Sequence, residues 1–221
     1  MEASRRLYSV ALGESMPRDV LVTAGTTRNP VDAMRYIGAY SSGKTGASVA
    51  KLLSEMSRVH VLGSPEACLR LEPGISRQTF GSTRDLMTRM EEWVADHPGG
   101  TVVHAAAVGD YEVEPNRDKI ASGQDEIVLR LSRSPKIADH IKKWDPRCLL
   151  ATFKAAGPNT SGEQLVAICR RQLERTASDF VFGNVIGALQ LTATVVDEFG
   201  AESFDSREAA IQNLCARLSS L

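Results

Sequence analysis

The sequence predicts an α/β protein: a Rossmann-like, doubly wound, mostly parallel sheet interrupted by a flap or hairpin insertion. Three observations carry this reading. Short apolar runs at residues 20–24, 59–62, 101–107, 148–153 and 180–182 alternate with longer segments of helical periodicity, the rhythm of βαβ units. The first run, VLVTA, empties into the turn Gly25-Thr26-Thr27, and a second turn rich in Gly, Ser and Lys at residues 38–45 opens a helix. The alternation breaks at residues 116–133, NRDKIASGQDEIVLRLSR, a stretch too short for a crossover helix.

With 221 residues, 43% of them hydrophobic, the chain can bury a full core. It reads as one domain over residues 19–221, preceded by an N-terminal extension at 1–18. After the first strand, Val49, Leu52, Leu53 and Met56 stand at the spacing of one helical face. Within 116–133, Ile127, Leu129 and Leu131 alternate, which suits one strand of the hairpin or flap. Ser134-Pro135 reads as an N-cap followed by proline at the first helical position, and Ser161 with Gln164 has capping-box spacing. Residues 191–196 supply a late strand, and Ile211, Leu214, Cys215 and Leu218 form the apolar stripe of a last helix.

Bulk properties exclude several classes. A net charge of −1 with no basic run argues against a nucleic-acid partner. No segment approaches the ~20 apolar residues of a membrane span, and the first residues lack a signal-peptide core, so the cytoplasm is the expected location. The cysteines Cys68, Cys148, Cys169 and Cys215 are scattered without metal-ligand spacing, as are His60, His97, His104 and His140. All eight read as packing residues, and no side-chain metal cage is expected.

Residues 38–45, GAYSSGKT, satisfy the P-loop pattern, but residues 32–37 carry charge and are no buried strand. The better reading is a two-lobed anion site. Gly25 and the Thr26 and Thr27 hydroxyls form one side, and Ser41 to Gly46, with Ser42, Gly43 and Lys44 among them, form the other at a helix N-terminus. Ligands of open α/β sheets sit beyond the carboxyl ends of the strands, so two further strand ends belong to the same cleft. In HAAAVGDY, the small residues Ala105, Ala106, Ala107 and Val108 let a flat base or ribose approach the backbone, and Asp110 accepts from hydroxyls. Phe153-Lys154 and Gly183-Asn184 close the set. Lys119, in DKIAS, is placed to fold a cation over bound phosphates. An NAD(P)-dependent oxidoreductase is disfavoured by the lack of GxGxxG and of an acidic ribose residue at the expected distance.

In order along the chain stand TAGTTRNPVD, RYI, SSGKTG, HAAAVGDY, DKIASG, RSPKIADHIKKWDP, ATFK and ASDFVFGN. This series resembles phosphopantothenoylcysteine synthetase over about residues 20–184, most closely the free-standing bacterial form without a fused decarboxylase domain. The resemblance implies a Rossmann-like homodimer with its sites near the subunit interface. It also implies a carboxylate-amine ligase using CTP (or ATP) with Mg²⁺ and passing through an acyl-nucleotidylate. The partners are then a small acid and a small amine, phosphopantothenate and cysteine or analogues.

Carried over by motif, Ser41, Ser42, Gly43 and Lys44 bind phosphate. Ala105, Ala106, Ala107, Val108, Asp110, Phe153 and Asn184 take the nucleoside, Lys119 acts in a closing flap, and Arg35, Ala39 and Tyr40 border the acyl substrate. The chain departs from the family pattern at Ala39, where an Asn that holds the reacting carboxyl is expected. An oriented donor lost from a developing charge costs about 2.7–4 kcal/mol of barrier. Val185, where an Asp often follows Asn184, and Gly109, where Ala is usual, are smaller departures. Two alternatives therefore stay open: a paralogue with a different acid or amine, and a non-catalytic nucleotide-binding subunit.

Overall fold

The computed structural model describes residues 18–188 and 193–221, so the extension expected at 1–18 falls, apart from Arg18, outside the described residues. Among the described residues eight strands form one sheet. In chain order they are β1 (Asp19–Ala24), β2 (Arg58–Gly63), β3 (Ser76–Thr79), β4 (Thr101–His104), β5 (Leu149–Ala156), β6 (Phe180–Val185), β7 (Ala193–Val196) and β8 (Ala201–Phe204). Their spatial order is β8-β7-β6-β5-β4-β1-β2-β3. The six strands from β3 to β6 run parallel, and β7 and β8 add an antiparallel edge. Strand order thus reverses between β1 and β4, the arrangement that gives Rossmann-like sheets a crevice at their carboxyl edge.

The helices are α1 (Lys44–Ser54), α2 (Pro65–Cys68), α3 (Thr83–Asp96), α4 (Ala138–Trp144), α5 (Gly162–Thr176) and α6 (Arg207–Ser220). Period-two alternation in β1 sends Val20, Val22 and Ala24 into one apolar cluster with Val49 and Leu53 of α1 and Ile211 and Leu214 of α6. Leu21 points the other way, toward Leu86 and Met90 of α3 and Ile141 of α4. Each such Leu or Val contributes about 1.5–3 kcal/mol by leaving water.

Several expectations need correction. The run at 101–107 leaves the sheet after His104, because the backbone of residues 105–107 turns to bond the loop after β1. Met56 lies beyond the end of α1 and is 60% exposed, so only the first part of that stripe packs. Ser134 does not cap α4. Its hydroxyl accepts from Asn29 Nδ2 at 3.2 Å, and the helix begins later with no side-chain cap. Residues 127–131 form no strand, and Ile127, Val128, Leu129 and Leu131 are exposed. The expected hairpin shrinks to a two-residue ladder between Tyr111–Glu112 and Ser132–Arg133. A second small ladder joins Asn29–Pro30 to Tyr36–Ile37.

Other expectations hold. Ser161 and Gln164 make the reciprocal capping box of α5, and the α6 stripe is buried. All four cysteines are free and buried. Strands β3 and β8 were not expected. Both are edge strands with almost wholly exposed side chains, polar throughout in β3 and mixed in β8, so no apolar rhythm marks them.

Candidate ligand-binding cleft

A cleft of about 620 Å³ opens at the carboxyl ends of β4, β5 and β6 and the N-terminus of α1. Gly43 occupies the N-cap of α1 with φ +75° and has no side chain to offer, so the first amides of the helix stay free for a ligand. Close packing enforces this choice: a Cβ on Gly43 would lie 2.4 Å from the Ala67 Cβ, and one on Gly46 2.5 Å from the Ala24 Cβ. Arg70 Nε donates to the Ser42 carbonyl at 2.8 Å, and Ser41 Oγ accepts from the Gly43 N–H at 3.4 Å. The turn is therefore braced from behind while its front faces the cleft.

The wall from β4 is built by backbone. Ala107 N–H donates to the Gly25 carbonyl at 2.8 Å, and Thr27 N–H donates to the Ala107 carbonyl at 3.1 Å. Thr23 Oγ1 accepts from the Ala106 N–H at 3.0 Å and bonds His104 Nδ1 at 2.9 Å. His104 lines the cleft yet is only 7% exposed, and burial alone pulls its pKa down to about 4, so the ring is neutral at pH 7.

On the far wall Phe153 stacks on Phe182 with ring centroids 4.8 Å apart. Gln172 Nε2 reaches from α5 to donate to Thr152 Oγ1 at 2.9 Å and to the Phe153 carbonyl at 3.2 Å. Arg207, at the start of α6, donates Nη2 to Thr45 Oγ1 at 2.7 Å and lies 5.2 Å from the Phe182 ring centroid. With the Asn184 carboxamide turned to satisfy both its atoms, Asn184 accepts from Arg207 Nη1 at 2.9 Å and donates to the Lys154 carbonyl at 3.3 Å. Burial draws the Arg207 pKa below its usual value, opposed by Glu208, but a guanidinium stays charged. Two further cations are neutralised, Lys136 by Asp110 and Arg175 by Asp139.

Ala39, Tyr40, Ser41, Ser42, Gly43, Lys44, Ala105, Ala106, Ala107, Val108, Asp110, Phe153 and Asn184 all line this cleft. Gly25, Thr26, Thr27, Arg35 and Lys119 do not, and the two-lobed reading changes accordingly. Thr26 Oγ1 donates to the Ala39 carbonyl, and buried Thr27 Oγ1 accepts from the Gly109 N–H at 2.9 Å and from Thr83 Oγ1 at 3.1 Å. These hydroxyls tie the loop after β1 to its neighbours and are unavailable to an anion. Gly25, φ +90°, is pressed against Ser64, whose Oγ would stand 2.2 Å from an added Cβ.

Arg35 and Asp32 instead hold the base of the 113–131 segment. Arg35 Nη1 donates to the Ile120 carbonyl at 3.2 Å, and Asp32 Oδ2 accepts from the Ile120 N–H at 3.1 Å. Amide bonds, first that from Met34, hold the Asp32 carboxyl at a pKa of about 2. Lys119, next to Ile120, is exposed. Gln172, Arg175 and Arg207 were missed. Gln172 and Thr176 are polar positions on the buried stripe of Leu165 and Cys169, and Arg207 is a cation in a helical first turn, both legible signals. Among the described residues no group of three His, Cys, Asp or Glu side chains is placed to hold a metal.

Sheet order and cleft position define a Rossmann-like α/β protein with a cleft at the carboxyl edge of its sheet. Residues 16–203 match the DNA/pantothenate metabolism flavoprotein C-terminal domain family, and the chain belongs to that family, as the motif resemblance implied. The coenzyme A biosynthesis bifunctional protein CoaBC of Thermococcus kodakarensis is 34% identical over 175 residues, 76% of this chain and 41% of that protein. CoaBC of Escherichia coli K12 is 31% identical over 127 residues, 54% of this chain and 30% of its own length. The chain thus spans less than half the length of these relatives. The crystal structure of the DNA/pantothenate metabolism flavoprotein from Streptococcus pneumoniae superposes with a TM-score of 0.82 at 26% identity, covering 92% of this chain and 99% of that one. A Cab2 variant in complex with phosphopantothenate-cysteine shares the fold, with a TM-score of 0.75 at 18% identity over 92% of this chain and 86% of its own.

Proposed function

We propose that this protein is a nucleotide-dependent carboxylate-amine ligase of the phosphopantothenate–cysteine ligase type, with CTP (or ATP) as the activating nucleotide. The observation that carries the reading is the meeting, in one cleft, of the uncapped α1 turn with the small-residue backbone at residues 105–108. The turn offers amides and Lys44 to phosphates, and the opposite wall admits a flat nucleoside beside Asp110. Family membership and the coenzyme A biosynthesis relatives agree with this assignment.

In the first step a substrate carboxylate oxygen attacks the α-phosphorus, the bond to the β-phosphate breaks, and pyrophosphate leaves. In the second, an amine attacks the acyl carbon, the C–O bond to the nucleotide breaks, and the nucleoside monophosphate departs as the amine loses a proton. The chain's contribution is position and charge: helix amides and Lys44 hold phosphate, and the hydrogen-bonded 105–109 backbone fixes the nucleoside wall. Mg²⁺, carried on the phosphates, offsets their charge when bound. Asp110 is the one carboxylate among the described cleft residues and is engaged by Lys136, so a bound ion would draw its ligands chiefly from the phosphates.

A homodimer is part of the proposal, supported by apolar side chains exposed at residues 29–37 and 113–131, among them Met34, Tyr36, Val128 and Leu131. Pyrophosphate release with phosphopantothenate, cysteine and either CTP or ATP tests the activity; no turnover in any combination removes it. One observation favours a second reading. Position 39 presents a methyl group to the cleft, which suits a different acid or amine, or a subunit that binds nucleotide without turnover. Tight CTP binding without turnover, unchanged in Ala39→Asn, is its signature.

A further inference from the structure

We propose that Arg207 is the fixed cation of the cleft, the residue that takes up the polyphosphate charge of the ligand beside the α1 turn. The inference rests on the reading of the cleft as a nucleotide site. It begins from a local conflict: Arg207 is the first residue of α6, directly after the Ser206 cap, where the positive end of the helix disfavours a cation. Glu208 next to it has the charge this turn prefers, so Arg207 needs a tertiary reason.

The structure supplies one. Among the described residues no carboxylate oxygen lies within 4.0 Å of Arg207, whereas Lys136 and Arg175 of the same cleft are each neutralised by an aspartate. Among the described residues Arg207, Lys44 and Lys154 therefore have no ion-pair partner, and the one carboxylate of the described cleft residues, Asp110, is already engaged. Three such cations suit a ligand with several negative charges, a pyrophosphate or nucleoside triphosphate, better than a single carboxylate.

Arg207 differs from the two lysines in being held. Two neutral acceptors, Thr45 Oγ1 at 2.7 Å and the Asn184 carboxamide at 2.9 Å, orient its planar fork, and the Phe182 face supports it. Two of a guanidinium's five N–H donors are thereby used and the others remain for a ligand. Thr45 belongs to the first turn of α1, so the guanidinium stands beside the free helix amides and their potentials add. A pre-positioned fork loses little entropy on binding phosphate.

The test is calorimetry on the full chain and on Arg207→Gln and Arg207→Lys, with three probes: CTP with Mg²⁺, inorganic pyrophosphate, and cytidine. The expected result is a loss of about tenfold or more in affinity for CTP and pyrophosphate in Arg207→Gln, with cytidine unchanged. Arg207→Lys keeps the charge without the fork and is expected to fall between. The affinity of Arg207→Gln should also depend less steeply on salt. Equal losses for CTP and cytidine, or no loss for CTP, overturn the proposal. Pyrophosphate binding that depends on Arg207, with no ribonucleotide binding, removes the nucleotide reading and leaves the cation standing. Nucleotide binding indifferent to Arg207 does the reverse, and binding of none of the probes removes both. Circular dichroism melts check folding, and if Arg207→Gln is unfolded, a CTP affinity of Arg207→Lys equal to wild type overturns the proposal while a selective loss supports it.

Discussion

Acidification from pH 7 to 4 should destabilise this protein through His104, the ring beneath the cleft. The side chain is 7% exposed, meets the Thr23 hydroxyl at 2.9 Å, and is held by burial at a pKa of about 4 against an ordinary 6.5. Between those values the unfolded chain binds a proton that the folded chain refuses. Stability therefore rises with pH across this window and falls on acidification, with the loss from this group complete near pH 4. At about 1.36 kcal/mol per pH unit the gap amounts to about 3 kcal/mol, a large share of the roughly 5–15 kcal/mol that holds a domain folded. Burial lowers the His60 pKa as well, so the total slope has more than one source. The informative quantity is the difference between wild type and His104→Gln, which keeps a polar partner for Thr23 without a titrating ring. Urea unfolding followed by tryptophan fluorescence at several pH values between 4 and 7.5 measures it. The two stability curves should converge by about 3 kcal/mol as the pH falls from 7 to 4. Parallel curves, or a His104 titration near 6.5 by NMR, would falsify the reasoning.

Restoring the carboxamide tests the acyl side: Ala39→Asn should raise pyrophosphate release by about 10²–10³-fold, and an unchanged rate means that another group already fills the role. Gly46→Ala should destabilise the protein by about 1–3 kcal/mol in urea, because its Cβ would stand 2.5 Å from the Ala24 Cβ; a neutral result would mean that α1 shifts freely. Asp32→Asn should loosen residues 113–131, read as faster limited proteolysis there, since the carboxylate grips the Ile120 N–H and pairs with Arg35. The wild type should show the same loosening as pH falls from about 4 toward 2, because the lowered Asp32 pKa makes its contribution complete above the unfolded value of 3.8 and lost toward about 2. Identical cleavage rates for Asp32→Asn and wild type at pH 7 count against the anchoring role.

Local pattern made much of this protein legible. Continuous apolar runs identified β1, β2, β5 and β6, a capping box marked the start of α5, and the Ile211 to Leu218 stripe marked α6, because each signal is written within one element. Pattern failed where structure depends on a distant neighbour. β3 and β8 exist only because β2 and β7 pair with them, and their exposed side chains record nothing of it. The alternation at residues 127–131 promised a strand, but among the described residues no strand pairs with it and its apolar side chains face solvent.

The cleft divides in the same way. Ser41, Ser42, Gly43 and Lys44, with Ala105 to Val108, act through backbone and helix geometry, which short motifs encode. The Thr26 and Thr27 hydroxyls could not be assigned that way, since Ala39, Gly109 and Thr83 decide whether they face a ligand or the frame. Gln172, Arg175 and Arg207 enter the cleft from α5 and α6, far along the chain from its first turn. Sequence by itself determined the layered α/β plan and the two backbone segments of the cleft, because periodicity and turn chemistry are local. Tertiary structure alone decided which hydroxyls and cations reach the cleft, because hydrogen bonds and ion pairs between distant segments form only once the sheet has brought those segments together.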